Sequence, residues 1–574
     1  MISYSTDSGR LMADIGAIGD LIEAERARFA VPGVAVAVVH DGRVVLCEGF
    51  GHADLEAGRP VDASTRFPLA SDTKAFTAAT LCLLADAGLV DLDAPVREVL
   101  PWFAMHDPHA TALVTPRDLL SHRTGLPRHD LVWYGDNAMS LEETTRRLRH
   151  LPMSRPLRTA WDYNNLCYIA AGYLTEVLAG MPWHEAVAAH LLRPLGMSDT
   201  VFSVQDAGLG QVARPYKSTA GGFARQAPPA KATADKAGPA GGIVSSVADL
   251  ARWLLARLGR RTDVLPASTL DQLHRPAMLG GIAVDRFAEI ASLGYGLGCQ
   301  VESYRGQRIV HHGGNIVGFS SDVCVVPGAD IGIAVLTNLD GSYLRLPLMY
   351  GIIDLLSGNG DAGLGARIHE LQTTLSAGYA QARDHQHARA SAAPPSRPLD
   401  GFAGTYTHPA YGELAIRVEG DTLVPDFHDA GDRVQLAHRG HDTWDLVLVD
   451  HEVDCPLVFT QGMDGAICGL AVSMEPSVAP AVFTRRHEHA PAALLAAMVG
   501  RYRMGPTTLA IRLRGTELVA NSDLLGDLVL AAAGGTTFSC PAVPGIGVTA
   551  ELDSGGAVAR IIVDQVGIFV PAAS

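Results

Sequence analysis

The chain has 574 residues, is 48% hydrophobic and carries a formal net charge of −16. That length implies several domains, or one large domain with smaller ones, and the hydrophobic content supports packed cores. The acidic balance argues against nucleic acid or an anionic membrane as a partner.

No apolar stretch approaches the ~20 residues of a membrane-spanning helix. Met1–Phe29 lacks the basic start and apolar core of a signal peptide, so a cytoplasmic protein is expected. The eight cysteines (47, 82, 167, 299, 324, 455, 468, 540) include no C-x-x-C and read as buried free thiols. His106 and His109 have metal-ligand types, but Pro108 lies between them and no third ligand is near, so a solvated loop is expected there.

In chain order, residues 11–29 read as an amphipathic helix with Leu11, Ile15, Ile18, Leu21 and Ile22 on one side. Val34–Val39 and Val44–Cys47, joined through Asp41-Gly42, read as a β-hairpin. Helical periodicity follows from Ser71 through Leu89, then over 116–121, 141–151, 165–180, 183–192 and 246–258. The Gly-, Ala- and Pro-rich stretch 205–240 reads as a long loop. Strands return at 308–312, 320–326 and 331–337, the last two joined by Pro327-Gly328-Ala329-Asp330, and a helix starts near Leu346 with Pro347 in its first turn. Strands, helices, strands and a final helix predict an α/β domain whose antiparallel sheet unites both ends of the segment.

Residues 366–388 have the pattern of a polar helix. A stiff linker, Ala390–Pro398, follows, and beyond it the chain turns β-like. That tail repeats itself. Phe402-Ala403-Gly404-Thr405-Tyr406 is echoed by Met498-Val499-Gly500-Arg501-Tyr502. Leu414-Ala415-Ile416-Arg417-Val418 with Gly420 is echoed by Leu509-Ala510-Ile511-Arg512-Leu513 with Gly515. Two similar β modules are expected, each long enough to close a small antiparallel barrel.

Three clusters carry chemistry. Lys74 is one of only four lysines, the other basic residues being Arg. Arg stays protonated at any working pH, whereas a buried Lys can lose its proton and act as a base. Ser71 lies three residues before it, one helical turn away, with Pro68 ahead and an apolar run behind. The unpaired N–H groups of a helix start there would favour a developing negative charge. Tyr163-Asn164-Asn165 opens an apolar helix. A Tyr beside an amine can share or lose its phenolic proton and relay it, and Asn165 can donate to a substrate carbonyl while accepting from Lys74. His311-His312-Gly313-Gly314-Asn315 places two glycines inside a strand pattern, where close approach of a ligand backbone supplies a reason. As an edge strand it would bind an extended substrate by β-pairing, and the N–H groups of Asn315 and Ser71 would form an oxyanion hole.

Ser71-x-x-Lys74, Tyr163-x-Asn165 and His312-x-Gly314 resemble, in this order, the three motifs of the serine β-lactamase and penicillin-binding protein superfamily. The resemblance spans about residues 15–358 and is closest to class C β-lactamases, D-aminopeptidases and related esterases. Thr115–Pro127 and Ala240–Ser246 support it. It implies an α/β (α+β) architecture: a β-lactamase-like domain over 1–365 with a central antiparallel sheet flanked by helices, a helix and linker over 366–398, and two β-barrel modules over 399–490 and 491–574. His312 stands where most of the superfamily has Lys, and Asn164 where Ser is common.

The implied reaction is acyl transfer through an ester on Ser71, with Lys74 and Tyr163 as a coupled base, and Asn165, His312, Gly314 and Asn315 holding substrate and oxyanion. No metal or organic cofactor is required. A peptidase or amidase of the D-aminopeptidase kind, acting on small peptides or amides, is the leading expectation. An esterase or thioesterase-like peptide cyclase, a β-lactamase and a non-catalytic penicillin-binding-like protein are the alternatives.

Overall fold

The computed structural model describes residues 5–134, 139–208, 210–219, 221–228, 237–281, 287–387, 393–427, 434–449, 453–462, 465–486, 492–515, 517–522, 526–534, 536–540, 543 and 546–572. The chain divides into two units. One is Met1–Arg389 together with Glu475–Ala479, and the other is Ala390–Met474 with Pro480–Ser574.

The first unit is built on an antiparallel sheet. Helix α1 (Ser5–Arg28) leads into β1 (Gly33–His40) and β2 (Arg43–Asp54), the hairpin that Asp41-Gly42 predicts, and a short β3 (Arg59–Pro60). The helical middle contains α2 (Thr73–Asp86), α3 (Asn165–Ala179) and α4 (Val247–Arg257). Five strands follow: β4 (Ile290–Tyr295), β5 (Gln300–Tyr304), β6 (Gln307–Ile316), β7 (Phe319–Val326) and β8 (Ile331–Thr337). Then come α5 (Arg345–Ser357) and α6 (Leu364–His387). The sheet order is β3-β2-β1-β8-β7-β6-β5-β4, so the first and last strands of the segment meet where β1 pairs with β8, Val34 opposite Thr337.

The continuous Val and Ala run of β1 is buried along nearly its whole length, as a strand covered on both faces must be. Ile18 and Ile22 of α1 and Tyr350 and Ile353 of α5 join Val34, Val36, Ile333 and Val335 in one core, which Leu364 and Ile368 of α6 complete. Helix α2 is mostly apolar and buried on every side from Thr73 to Cys82, the signature of an interior helix. Phe76 stacks on Trp253 of α4 with ring centroids 4.2 Å apart, a pair contributing about 1.5–3 kcal/mol per fully buried side chain.

Three expectations need correction. Strand β6 is an interior strand, paired with β7 along Val310–Ile316 and with β5 only over Gln307–His311. It runs past the end of β5, so its stretch from His312 onward keeps one flank unpaired by that strand. The stretch 205–240 is not wholly loop, because Tyr216–Thr219 and Gly222–Arg225 form a small hairpin. All eight cysteines are free, but Cys468 is exposed and Cys47 only half-buried.

The second unit holds two eight-stranded antiparallel sheets among its described residues. In the first, three strands from Gly404–His408 and five from Val434–Gly440 run as consecutive hairpins, and the last strand, Ala481–Arg486, pairs back on the first. In the second, strands from Gly500–Met504 to Gly567–Pro571 close a barrel in the same way. The repeat has a structural signature. The Tyr406 hydroxyl donates to the Phe402 carbonyl at 2.6 Å, and the Tyr502 hydroxyl to the Met498 carbonyl at 2.9 Å. Gly420 and Gly515 take the same left-handed turn, at φ 60° and 65°. No helix among the described residues is long and apolar enough to cross a membrane.

Candidate active site

Ser71 sits in a single 3-10 turn, Ala70–Asp72, that feeds straight into α2. Lys74 follows one turn on and is completely buried. Its Nζ lies 3.1 Å from Ser71 Oγ, and donates to Asn165 Oδ1 and to the Ala240 carbonyl, both at 2.8 Å. Tyr163 OH donates to Ser71 Oγ at 2.8 Å. The structure brings the amine, the hydroxyl, the phenol and the amide together in one cluster.

The Tyr-x-Asn element is held by the segment Thr115–Pro127. Thr115 and Asp118 form a capping box on a short helix, with Pro116 in its first turn. Asp118 also binds Arg123 and Arg158, at 2.5 and 2.7 Å. Burial raises the Asp118 carboxyl, but Arg158 and Arg123 outweigh it and hold the acid below its ordinary range. His122, next along, accepts from the Asn164 N–H at 3.1 Å. Asn164 caps α3 through the Cys167 N–H at 2.7 Å, and its amide donates to the carbonyls of Leu126 and Pro127. The residue that replaces the common Ser is thus a buried cap.

Strand β6 brings up the third element. Gly314 has to be glycine: a Cβ there would collide with the Leu69 carbonyl and Ser321 Oγ. His312 donates from Nδ1 to the Gly313 carbonyl at 2.7 Å, which leaves Nε2 of the neutral ring without a proton, and that buried nitrogen has no partner among the described residues. Its ring lies 6.2 Å from that of Tyr163. Asn315 is exposed, and its Oδ1 accepts from Ser320 Oγ at 2.8 Å. His311 points elsewhere, into a buried ion pair with Asp322 at 3.1 Å and Glu302 at 3.3 Å.

Burial holds the Lys74 amine well below the ordinary lysine range, and the Arg128 guanidinium adds to the effect. Burial pushes the Tyr163 phenol up, so the resting phenol keeps its proton. Burial holds His312 down as a neutral imidazole.

Some contributors are invisible in the motifs. Asp130 accepts from Asn165 Nδ2 at 3.0 Å, which turns the Asn165 oxygen toward Lys74. Arg128 pairs with Asp130 at 2.6 Å and lies 5.1 Å from the Tyr163 ring. Neither belongs to a periodic element or a motif, so nothing local in the sequence marks them.

The family model described as Beta-lactamase matches residues 18–353, and one described as a domain of unknown function, DUF3471, matches residues 388–485. Among curated proteins, the unguisins hydrolase ungD' of Aspergillus campestris is 31% identical over 83% of this chain and 92% of its own length. Penicillin-binding protein 4 of Amycolatopsis lactamdurans is 30% identical over 55% of this chain and 83% of its own. The octameric penicillin-binding protein homologue from Pyrococcus abyssi shares the fold with a TM-score of 0.55, at 21% identity, over 82% of this chain and all of that one. Family match, relatives and fold agree that this chain belongs to the Beta-lactamase family, as a serine hydrolase of that fold.

Proposed function

We propose that the protein is an amidase or peptidase that acts on small peptides or amides through an acyl-enzyme on Ser71. The observation that carries this reading is the proton inventory around Ser71 Oγ. A neutral Lys74 amine has two protons and one lone pair. Its two protons match the two acceptors at 2.8 Å, Asn165 Oδ1 and the Ala240 carbonyl, and the lone pair is left for the Ser71 hydroxyl at 3.1 Å. Ser71 Oγ then donates to Lys74 and accepts from the Tyr163 phenol.

On attack, the bond from Ser71 Oγ to the substrate carbonyl carbon forms as the hydroxyl proton passes to Lys74 Nζ. The Ser71 and Asn315 N–H groups receive the oxyanion. An amine leaves poorly without a proton, and Tyr163, kept protonated and 2.8 Å from the forming ester oxygen, is the general acid that supplies it. The proton taken by Lys74 restores the phenol. Water then cleaves the ester, returning a proton to Ser71. The bare His312 Nε2 suits an amide N–H of the substrate, a donor that esters lack. The relative named as an unguisins hydrolase supports a hydrolytic role.

The test compares kcat/KM on matched amide, ester and thioester substrates for the wild type, Ser71→Ala and Tyr163→Phe. Ser71→Ala is expected to lose nearly all turnover. Tyr163→Phe is expected to lose about 10²–10⁴-fold on the amide and far less on an ester with a good leaving group. Equal losses on both would overturn the amidase assignment, and turnover by Ser71→Ala would overturn the nucleophile.

A further inference from the structure

Ala70, the residue before the nucleophile, has φ +46°. A non-glycine residue in the left-handed region stores strain, so something must clamp the turn. Ser321 of β7 is placed to do it. Its Oγ lies 2.8 Å from the Leu69 carbonyl and 2.6 Å from Asp72 Oδ2. A hydroxyl has one proton. Were Asp72 ionised, that proton could satisfy only one of these two acceptors. Were Asp72 protonated, its acid would donate to Ser321 Oγ and Ser321 would donate to Leu69, and both contacts would be hydrogen bonds.

Two further observations agree. Asp72 is buried, and its other oxygen, Oδ1, has no hydrogen-bond partner among the described residues, an arrangement far less costly for a neutral acid than for an anion. The surrounding ion pairs exclude it as well. Asp322 is bound to Arg345 at 2.7 Å and to His311 at 3.1 Å, Glu302 to His311 at 3.3 Å, and Tyr350 donates to Glu302 at 2.9 Å. Asp72 has no ion-pair partner among the described residues. Arg257, also buried nearby, directs its guanidinium to the Val310 and Val323 carbonyls and Cys299 Sγ. On the site side an ionised Asp72 would act electrostatically on Lys74 and Tyr163.

We propose that Asp72 is a neutral carboxylic acid whose proton runs through Ser321 to the Leu69 carbonyl, and that this relay is the positioning device that holds the strained turn and aims Ser71 Oγ. Burial and the neighbouring Asp322 carboxylate raise the Asp72 acid well above the ordinary range, against the opposing pull of Ser321, Arg345 and His311. The proposal rests on Ser71 as nucleophile for its functional half only. The protonation state can be read without turnover.

The first measurement is the infrared difference spectrum of the full-length protein against Asp72→Asn at neutral pH. The expected result is loss of one carbonyl band of a protonated carboxylic acid. Loss of a carboxylate band instead would overturn the proposal. The second is kinetic. Asn can still donate through its amide, so Asp72→Asn is expected to keep kcat within about threefold, whereas Asp72→Leu and Ser321→Ala lose about tenfold or more in kcat with KM little changed. Should Asp72→Leu fail to fold, Ser321→Ala carries the kinetic arm. A Ser321→Ala enzyme with wild-type kcat would overturn the positioning role.

Discussion

Burial favours the uncharged form of Lys74, the form that the catalytic cycle proposed above needs. Arg128 contributes to that state from the mouth of the site, where its side chain is 55% exposed. Removing its charge withdraws one of the forces that favour the neutral amine, so the Lys74 pKa rises. Arg128→Gln is therefore expected to move the acid limb of the kcat/KM profile to higher pH. An unmoved limb would show that burial alone sets the lysine. The same burial has a cost for folding: it lowers the lysine pKa in the folded chain relative to the unfolded one, so above the folded value the unfolded chain binds the extra proton. Lys74→Met is expected to abolish turnover and to raise the thermal midpoint of the full chain, a trade of stability against activity.

Strands β5, β6 and β7 are tied behind the site by His311. Burial works against its imidazolium, but Asp322 and Glu302 outweigh burial and lift His311 to about 10. An unfolded histidine releases its proton near 6.5, so between about 6.5 and about 10 the folded chain binds more protons. The contribution is whole below that window and is lost as pH rises through it. Denaturant unfolding of the full chain across pH 6–10 is expected to show a steeper loss for the wild type than for His311→Gln, and parallel slopes would refute the ion pair. This element was only half legible beforehand. The Asp41-Gly42 turn, the apolar runs of β1, β7 and β8, and the spacings of Ser71, Lys74, Tyr163, Asn165 and His312 could all be read locally. The interior position of β6 could not, because its second partner, β5, has no distinctive alternation. The hairpin at Tyr216–Arg225 was hidden by Gly and Ala. The tie between Asp72 and Ser321 joins residues 249 positions apart, and no local pattern encodes such a pair.

At the scale of the chain, the tail repeat is the clearest record of how the molecule was assembled. The offsets seen in the sequence reappear as the same Tyr corner, the same turn glycine and the same pairing of last strand on first. The two modules have separate cores: Phe402, Trp444 and Phe459 cluster in one, and Leu494, Met498 and Phe538 in the other. Tyr406→Phe and Tyr502→Phe each leave a buried carbonyl short of a donor. Each is expected to lower stability by about 1 kcal/mol, with the double variant close to the sum. Strong coupling in denaturation curves would show that the two modules unfold as one.

The first unit is discontinuous in sequence. Glu475–Ala479 belongs to it, and Glu475 accepts from the His129 N–H at 3.3 Å, one residue from Arg128 and from Asp130. A protease that severed the chain after Arg389 would carry those five residues away with the discarded fragment. The remaining piece would lack a patch of its own wall beside the very loop that orients Asn165, so shedding the tail is expected to lower both its melting temperature and its turnover. Domain shuffling that swaps the tail wholesale would meet the same penalty, which makes the hydrolase and its appendage a single heritable object.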